Sequence, residues 1–331
     1  MMAYIVRRFL IMIPLMVLIS IMIFFVIQLP PGDYLTTYIS SLQASGVELD
    51  EREIQGLVRQ YGLDRSVFEQ YFIWVRGIVT RGDFGWSFQW QRSVNAVIAS
   101  RLPMTIAIGL SSLFLVWIMA IPIAILSATR QYSVFDYVFT FLGFIGLAMP
   151  PFLLALVVLW IVYSTTGLAI TGLFSREFAE APWSFAKVLD LIRNGWVPVV
   201  IIGIAGTAGL IRVLRATLLD ELRKQYVVTA RAKGLSENRL LIKYPIRIAM
   251  NPVFSTIGWI LPGLISGQVI VAIVLNLQTL GPALLRATLS QDMYLAGSIV
   301  LILAFLTVVG TFISDLLLAW LDPRIRYERK A

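Results

Sequence analysis

At 331 residues, 58% of them hydrophobic and with a mean hydropathy of +0.82, the chain is more apolar than soluble domains, in which apolar residues make up about 45–50%. Cysteine and histidine are both absent, which excludes disulfides, thiolate nucleophiles, imidazole bases and ordinary zinc sites. The net charge is +8, from 27 Lys/Arg against 19 Asp/Glu, and its placement along the chain decides what it means.

Residues 4–29 set Arg7 and Arg8 ahead of about twenty apolar residues, enough to cross a bilayer. A signal peptide has a shorter apolar core and a small-residue cleavage site. The expectation is therefore a retained first transmembrane helix, residues 1–30, with its N-terminus inside and Pro14 as a tolerated kink. Pro30-Pro31-Gly32-Asp33 stops it and opens an external amphipathic segment, 31–101, which holds eight of the 19 acids. Within that segment Glu51–Tyr61 and Ser66–Val79 have the period of amphipathic helices, the second with an apolar face of Phe68, Tyr71, Phe72 and Val75. Arg81–Trp86 reads as a glycine-rich turn, and Trp86, Phe88 and Trp90 suit a headgroup region.

Residues 102–331 read as a five-helix core. Leu102–Thr129 is the second predicted span, followed by a short loop, Gln131–Asp136. Tyr137–Tyr163 is the third, expected as one helix kinked at Met149-Pro150-Pro151, because Ser175–Asn194 lacks a positive excess and reads as external. Val197–Leu214 is the fourth; Gly203, Gly206 and Gly209 lie on one face and invite close helix packing. Val253–Asn276 is the fifth, broken by Gly258, Pro262, Gly263 and Gly267. Its polar positions Ser255, Thr256, Ser266, Gln268 and Asn276 fit the lining of a path and packing contacts equally well. Tyr294–Leu321 is the sixth, with Asp315 near its inner end placed to pair with a basic residue of loop or tail. With both termini cytoplasmic, inner segments carry 16 Lys/Arg and 7 acids, outer segments 11 and 12. The basic excess is thus an orientation signal and not a nucleic-acid footprint.

Between the fourth and fifth spans lies a cytoplasmic loop, 215–251, that is patterned as well as basic. From Arg212 to Arg247 it holds nine Lys/Arg against three acids. Leu218, Leu219, Leu222, Tyr226, Val227 and Ala230 recur at helical spacing. Arg231 and Lys233 then fill a last turn, Gly234 can take the left-handed cap position, and Ser236 can cap a second helix, Glu237–Arg247. An apolar stripe in water calls for a covering partner, so the loop reads as a docking element; a plain positive-inside anchor is the simpler alternative. No Walker loop, serine-hydrolase elbow or mid-membrane carboxylate pair is present. What remains is a pore-forming subunit, itself no enzyme, worked by another protein. A stand-alone secondary carrier or channel and a scaffold without transport are the rival readings.

Tyr226-Val-Val-Thr-Ala-Arg-Ala-Lys-Gly-Leu235 resembles the coupling loop of binding-protein-dependent ABC importers, in the version carried by dipeptide/oligopeptide permeases. Four further stretches agree in order: Tyr4-Ile-Val-Arg-Arg8 with Pro31-Gly32-Asp33; Tyr61–Arg65 with Gln70-Tyr71 and Arg81–Ser87; Arg101-Leu-Pro-Met-Thr105; and Asp322-Pro-Arg-Ile-Arg326. The resemblance departs where that family's general loop has Glu-Ala-Ala and this chain has Val228, Thr229 and Ala230.

The resemblance implies an all-α integral membrane protein with six transmembrane helices, of the type I (MetI-like) ABC importer permease fold. It implies a bacterial inner-membrane location, a second homologous permease subunit, two ATP-binding subunits and a soluble solute-binding protein. ATP and Mg would sit on the partner ATPases, with no cofactor or metal on this chain. Thr229, Ala230, Arg231, Ala232, Lys233, Gly234, Leu235 and Arg247 would form the ATPase-coupling surface. Peptides are the first solute class implied; oligosaccharides and other small solutes are the alternative.

Overall fold

In a computed structural model of the chain, residues 2–29, 64–167, 171–175, 177–255 and 269–321 are described, with isolated positions between 39 and 58. Glu51–Tyr61, Thr256, Ser266 and Gln268 lie outside them apart from those isolated positions. The chain divides into two compact units. The larger comprises Met1–Arg8, Ile106–Gln278 and Thr307–Ala331, the smaller Phe9–Thr105 and Thr279–Leu306.

Among the described residues, four helices are long and apolar enough to cross a membrane: α1 (Met2–Ile27), α3 (Val94–Thr129), α6 (Phe185–Leu222) and α13 (Met293–Leu321). A fifth crossing is counted if α4 (Val134–Ala148) and α5 (Pro151–Thr166) are taken together. They are not the single kinked helix expected from the sequence, because their axes differ by 102°. Met149 precedes a proline and is driven to extended backbone, φ −87 and ψ 120, and Pro150 stays extended. Pro151 then opens α5 at a position where a missing N–H costs nothing. The predicted fifth span, Val253–Asn276, falls largely on residues outside the description; its ends are α10 (Asn251–Ser255) and α11 (Val269–Val274).

Two helices start earlier than hydropathy alone suggests. Ser93 Oγ accepts from Ala96 N and starts α3 at Val94, and Ser184 Oγ accepts from Lys187 N and starts α6 at Phe185. At 38 residues, α6 is about 57 Å long, nearly twice the hydrocarbon thickness of a bilayer.

In the smaller unit, α2 (Val67–Arg81) opens with a capping box between Ser66 and Glu69 and closes on Gly82 in the left-handed region, φ +63. Its buried face is Gln70, Trp74 and Gly77, with Tyr71 half-buried. Phe68 and Phe72, which periodicity places on the apolar face, are 73% and 67% exposed. The stripe is rotated because Phe24 of α1 packs on Tyr71 and Trp74, and Ser20 Oγ meets the Tyr71 hydroxyl at 2.9 Å. After α2, a two-residue ladder pairs β1 (Trp86–Ser87) with β2 (Arg92–Ser93). The turn places Phe88 in the core against Tyr294, not at a headgroup surface. Val94, Val97 and Ile98 pack on Ala283 and Ala287 of α12 (Leu280–Leu289) and on Leu295 and Ile299 of α13.

Gln291, with φ +57, closes α12, and the next residue, Asp292, opens α13 through Leu295 N. Asp292 is fully buried and also accepts from Ser87 Oγ at 2.5 Å and Gln89 N at 3.1 Å. Burial holds its carboxyl above the ordinary carboxylate range, against the pull of these donors.

In the larger unit, α3 lies on α6 where Gly203 and Gly206 leave room: a Cβ there would stand 2.9 Å from Leu115 and 3.1 Å from Val116. Gly209 faces open space, so the glycine stripe is two residues long in function. Ile204 and Ala208 of α6 meet Gly146 of α4. Arg215, near the end of α6, grips Asp136 at the start of α4 with two bonds of 2.8 Å, and Ser127 and Tyr132 N complete the carboxylate's shell. Asp315 pairs with Arg8 of the first helix at 2.8 Å, and the tail lies outside the described residues.

Two outcomes follow from these buried carboxylates. Asp292→Ala strands the Gln89 N–H and the Ser87 hydroxyl and is expected to cost about 1–3 kcal/mol, read as a thermal midpoint several degrees lower in detergent. Arg215→Ala leaves a carboxylate that is 3% exposed without its counter-ion and is expected to cost about 3 kcal/mol. Removing Asp136 as well should recover much of that loss in a double-mutant cycle, and strictly additive losses would dismiss the pair as a structural tie.

Candidate functional site

The patterned loop begins where α6 stops. Arg223 is still helical, but Lys224 is extended, ψ 147, and its carbonyl accepts from Val227 N and Val228 N to start α7 (Gln225–Ala232). The hydroxyl of Tyr226 donates to the Glu221 carboxylate across this hinge. Burial first, and that bond second, push the Tyr226 hydroxyl pKa up.

Helix α7 ends on Gly234, φ +79, in the conformation expected of a left-handed cap. Leu235 N reaches back to Ala230 O and Gly234 N to Arg231 O, the paired bonds of a Schellman closure. Ser236 then occupies the N-cap position of α8 (Glu237–Lys243) with extended backbone but makes no side-chain cap bond. The second helix does not run to Arg247 as its periodicity suggests. Tyr244 precedes Pro245 and leaves the helical region, and a separate short helix, α9 (Pro245–Ala249), follows.

Across the Gly234 turn, Arg231 forks onto Glu237 with bonds of 2.5 and 3.2 Å. Each group stabilises the other's charge: Glu237 is held below the ordinary carboxylate range and Arg231 above its own. Beneath the turn, Val227, Ala230 and Leu240 are buried together with Tyr226, Leu235 and Tyr244 packed around them. Much of the apolar stripe is therefore covered by the loop's own second helix, which corrects the expectation that a partner must cover it. Closing α7 and α8 on each other turns the polar residues outward. Thr229, Arg231, Ala232, Lys233 and Gly234 are exposed, Leu235 is half-buried and Ala230 is buried; Arg247 is exposed on α9.

Of the candidate path residues, Ser255 and Asn276 are described, and Thr256, Ser266 and Gln268 lie outside the described residues. Ser255 is exposed at the end of α10, its hydroxyl bonded to Pro252 O. Asn276 is exposed in the left-handed region, φ +51, where Leu277 N→Ala272 O and Asn276 N→Ile273 O close α11. Periodicity and charge counting miss the Asp136–Arg215–Ser127 cluster altogether. One signal was available, since Asp136 is the only acid between Asp83 and Glu177. A lone carboxylate between apolar spans has to find a cation.

Residues 120–327 match the family described as "Binding-protein-dependent transport system inner membrane component", and residues 1–109 match its companion, "Binding-prot-dependent transport system membrane comp, N-term". The chain is 34% identical over 329 residues to the oligopeptide transport system permease protein AppB of Bacillus subtilis, covering 98% of this chain and 99% of the relative. It is 29% identical to the oligopeptide permease protein OppB of Haemophilus influenzae (99% and 100% covered) and 27% identical to the dipeptide permease protein DppB of Lactococcus lactis (98% and 100% covered). Together with its long apolar helices, these matches make the chain a multi-pass protein of the bacterial inner membrane, and it belongs to the family of binding-protein-dependent transport system inner-membrane components.

Proposed function

We propose that this chain is the permease subunit of an ATP-driven importer of peptides or peptide-sized solutes. In this reading it crosses the membrane six times with both termini cytoplasmic, pairs with a second permease subunit and receives solute from a soluble binding protein. Two ATPase subunits, carrying ATP and Mg, dock on loop 215–251. The printed names of the relatives, oligopeptide and dipeptide permeases, support peptides over saccharides. Ser255, Thr256, Ser266, Gln268 and Asn276 remain the candidate lining of the solute path, which leaves 31–101 as the external segment and 102–331 as the permease core.

The observation that carries the coupling role is the build of the loop. Thr229 to Gly234 present a polar, cationic surface on a helix only eight residues long. The Gly234 closure, the Arg231–Glu237 fork and the small core under them make that surface stiff. The Asp136–Arg215 bonds fasten the end of α6 just before it. A short rigid element held at both ends can pass a rigid-body displacement from a docked ATPase to the membrane helices.

A branched residue at Gly234 meets no neighbour, yet it must adopt a backbone that L-residues resist. Gly234→Val is therefore expected to reduce solute-stimulated ATP hydrolysis of the reconstituted importer at least tenfold while membrane insertion stays normal. Undiminished stimulation would remove the loop from the coupling path. Exchanging the charges, Arg231→Glu with Glu237→Arg, should restore most of the activity lost in either single variant if the fork serves only to stiffen the turn. Failure of the exchange would assign Arg231 a contact on the ATPase itself.

A further inference from the structure

In the smaller unit Arg101 of α3 has two other arginines for neighbours, Arg92 of β2 and Arg286 of α12. Helix packing brings them there. Val97 and Ile98 rest on Ala283 and Ala287, so Arg101, one turn beyond them, comes beside Arg286, which adjoins Ala287. The charges that act on Arg101 are those of Arg92 and Arg286, both like its own. None of the three is in an ion pair among the described residues.

The central arginine is half-buried and held in place. Its guanidinium lies over the Trp90 ring, 5.6 Å from the centre, and its Nη1 donates to Ser100 Oγ at 3.2 Å. Stacking fixes the plane of the group and leaves its other N–H donors for an acceptor. Like charges gathered this way repel each other, and an anion received among them offsets that repulsion.

The depth of Arg101 says which anion. Arg101 and Arg130 bound 28 uncharged residues, Leu102 to Thr129, all within one helix. At the helical rise they cover about 42 Å, which matches a bilayer measured with its headgroups. One arginine thus stands in each headgroup layer, and an indole such as that of Trp90 suits the same level. Beside Arg286, Leu285 and Leu289 are 40% and 73% exposed. An acyl chain covers such a flank; a small aqueous anion leaves it bare.

We infer that Arg92, Arg101 and Arg286 bind the phosphate of an anionic phospholipid, with Trp90 at the edge of the site and the leucines of α12 along the lipid's tail. In the orientation proposed above this is the outer leaflet, where the positive-inside rule supplies no reason for clustered cations. The choice of leaflet rests on that orientation, and the lipid contact does not.

The test is native mass spectrometry of the full chain released from nanodiscs that hold equal amounts of phosphatidylglycerol and phosphatidylcholine. The two lipids share the phosphate and differ in net charge, and preferential retention of phosphatidylglycerol is expected. A cation beside an anionic lipid surface is worth about fivefold in affinity. Arg92→Gln and Arg286→Gln, both at exposed positions, should therefore each lower that retention about fivefold. Arg101→Lys keeps the charge but loses the stacked fork, and should lower it severalfold. Arg130→Gln, at the other end of the helix, should leave it unchanged. Equal retention of the two lipids, wild-type retention in both Gln variants at 92 and 286, or an equal loss in Arg130→Gln would overturn the proposal. So would displacement of the lipid by millimolar inorganic phosphate, which would give the cluster to a soluble anion. Full lipid retention in variants that lose affinity for the solute-binding protein would overturn it too, giving the cluster to an acidic protein surface. Solute uptake is not read in this experiment, so the lipid site and the import reading can fail separately.

Discussion

A helix in an apolar medium cannot leave its end groups bare, because no water is there to bond them. Among the described residues, several joints meet the need for bonded helix ends with an identifiable device. Serines at 93, 133 and 184 accept from the first free N–H groups of α3, α4 and α6. Gly234, Asn276 and Gln291 take left-handed backbone so that the last carbonyls of α7, α11 and α12 find donors. Gly172 N adds a bond to the carbonyl of Leu275 beyond the end of α11. Where the chain breaks without a cap, at Pro150-Pro151 and at Tyr244-Pro245, a proline has already removed the donor. The architecture is thus a set of apolar rods whose joints are each made polar-tight by a few residues.

The buried carboxylates belong to the same logic. Asp292 serves two joints at once, opening α13 and holding the hairpin turn through Ser87 and Gln89. Asp136 does so for the larger unit, tying the α3–α4 connection to Arg215 on α6. Neither is placed for chemistry on a substrate. Each is surrounded by donors from its own chain. The loop that follows α6 inherits its position from the second of them, because Arg215 lies seven positions before the last residue of that helix, Leu222.

Much of this was legible in the residues. The left-handed backbone at Gly234, the apolar spans and the short basic loop follow from local chemistry and from hydropathy, which act over a few residues. What the sequence did not reveal depends on neighbours distant in the chain. The rotation of α2, which buries Gln70 and Trp74 in place of Phe68 and Phe72, is decided by Phe24 and Ser20 of α1. The stop at Lys243 instead of Arg247 is the exception, a local signal that periodicity overlooks, because Pro245 has no N–H to continue the helix. Asp315 finds Arg8 some three hundred residues away, a pairing no local signal encodes.

One feature of α6 sets a scale for what the loop can feel. Pro198 sits fourteen positions into this helix and deletes one rung of its hydrogen-bond ladder, while the glycines that follow at 203 and 206 remove side-chain bulk on the face toward α3. The stretch from Pro198 to Leu222 is about 36 Å of unbroken helix. A flexure of about 10° at the proline would carry its far end through an arc of about 6 Å, by the same helix geometry. Any bend at the missing rung would thus be geared up along the rod, a small adjustment beside the proline becoming at the far end a movement as wide as a full helical turn.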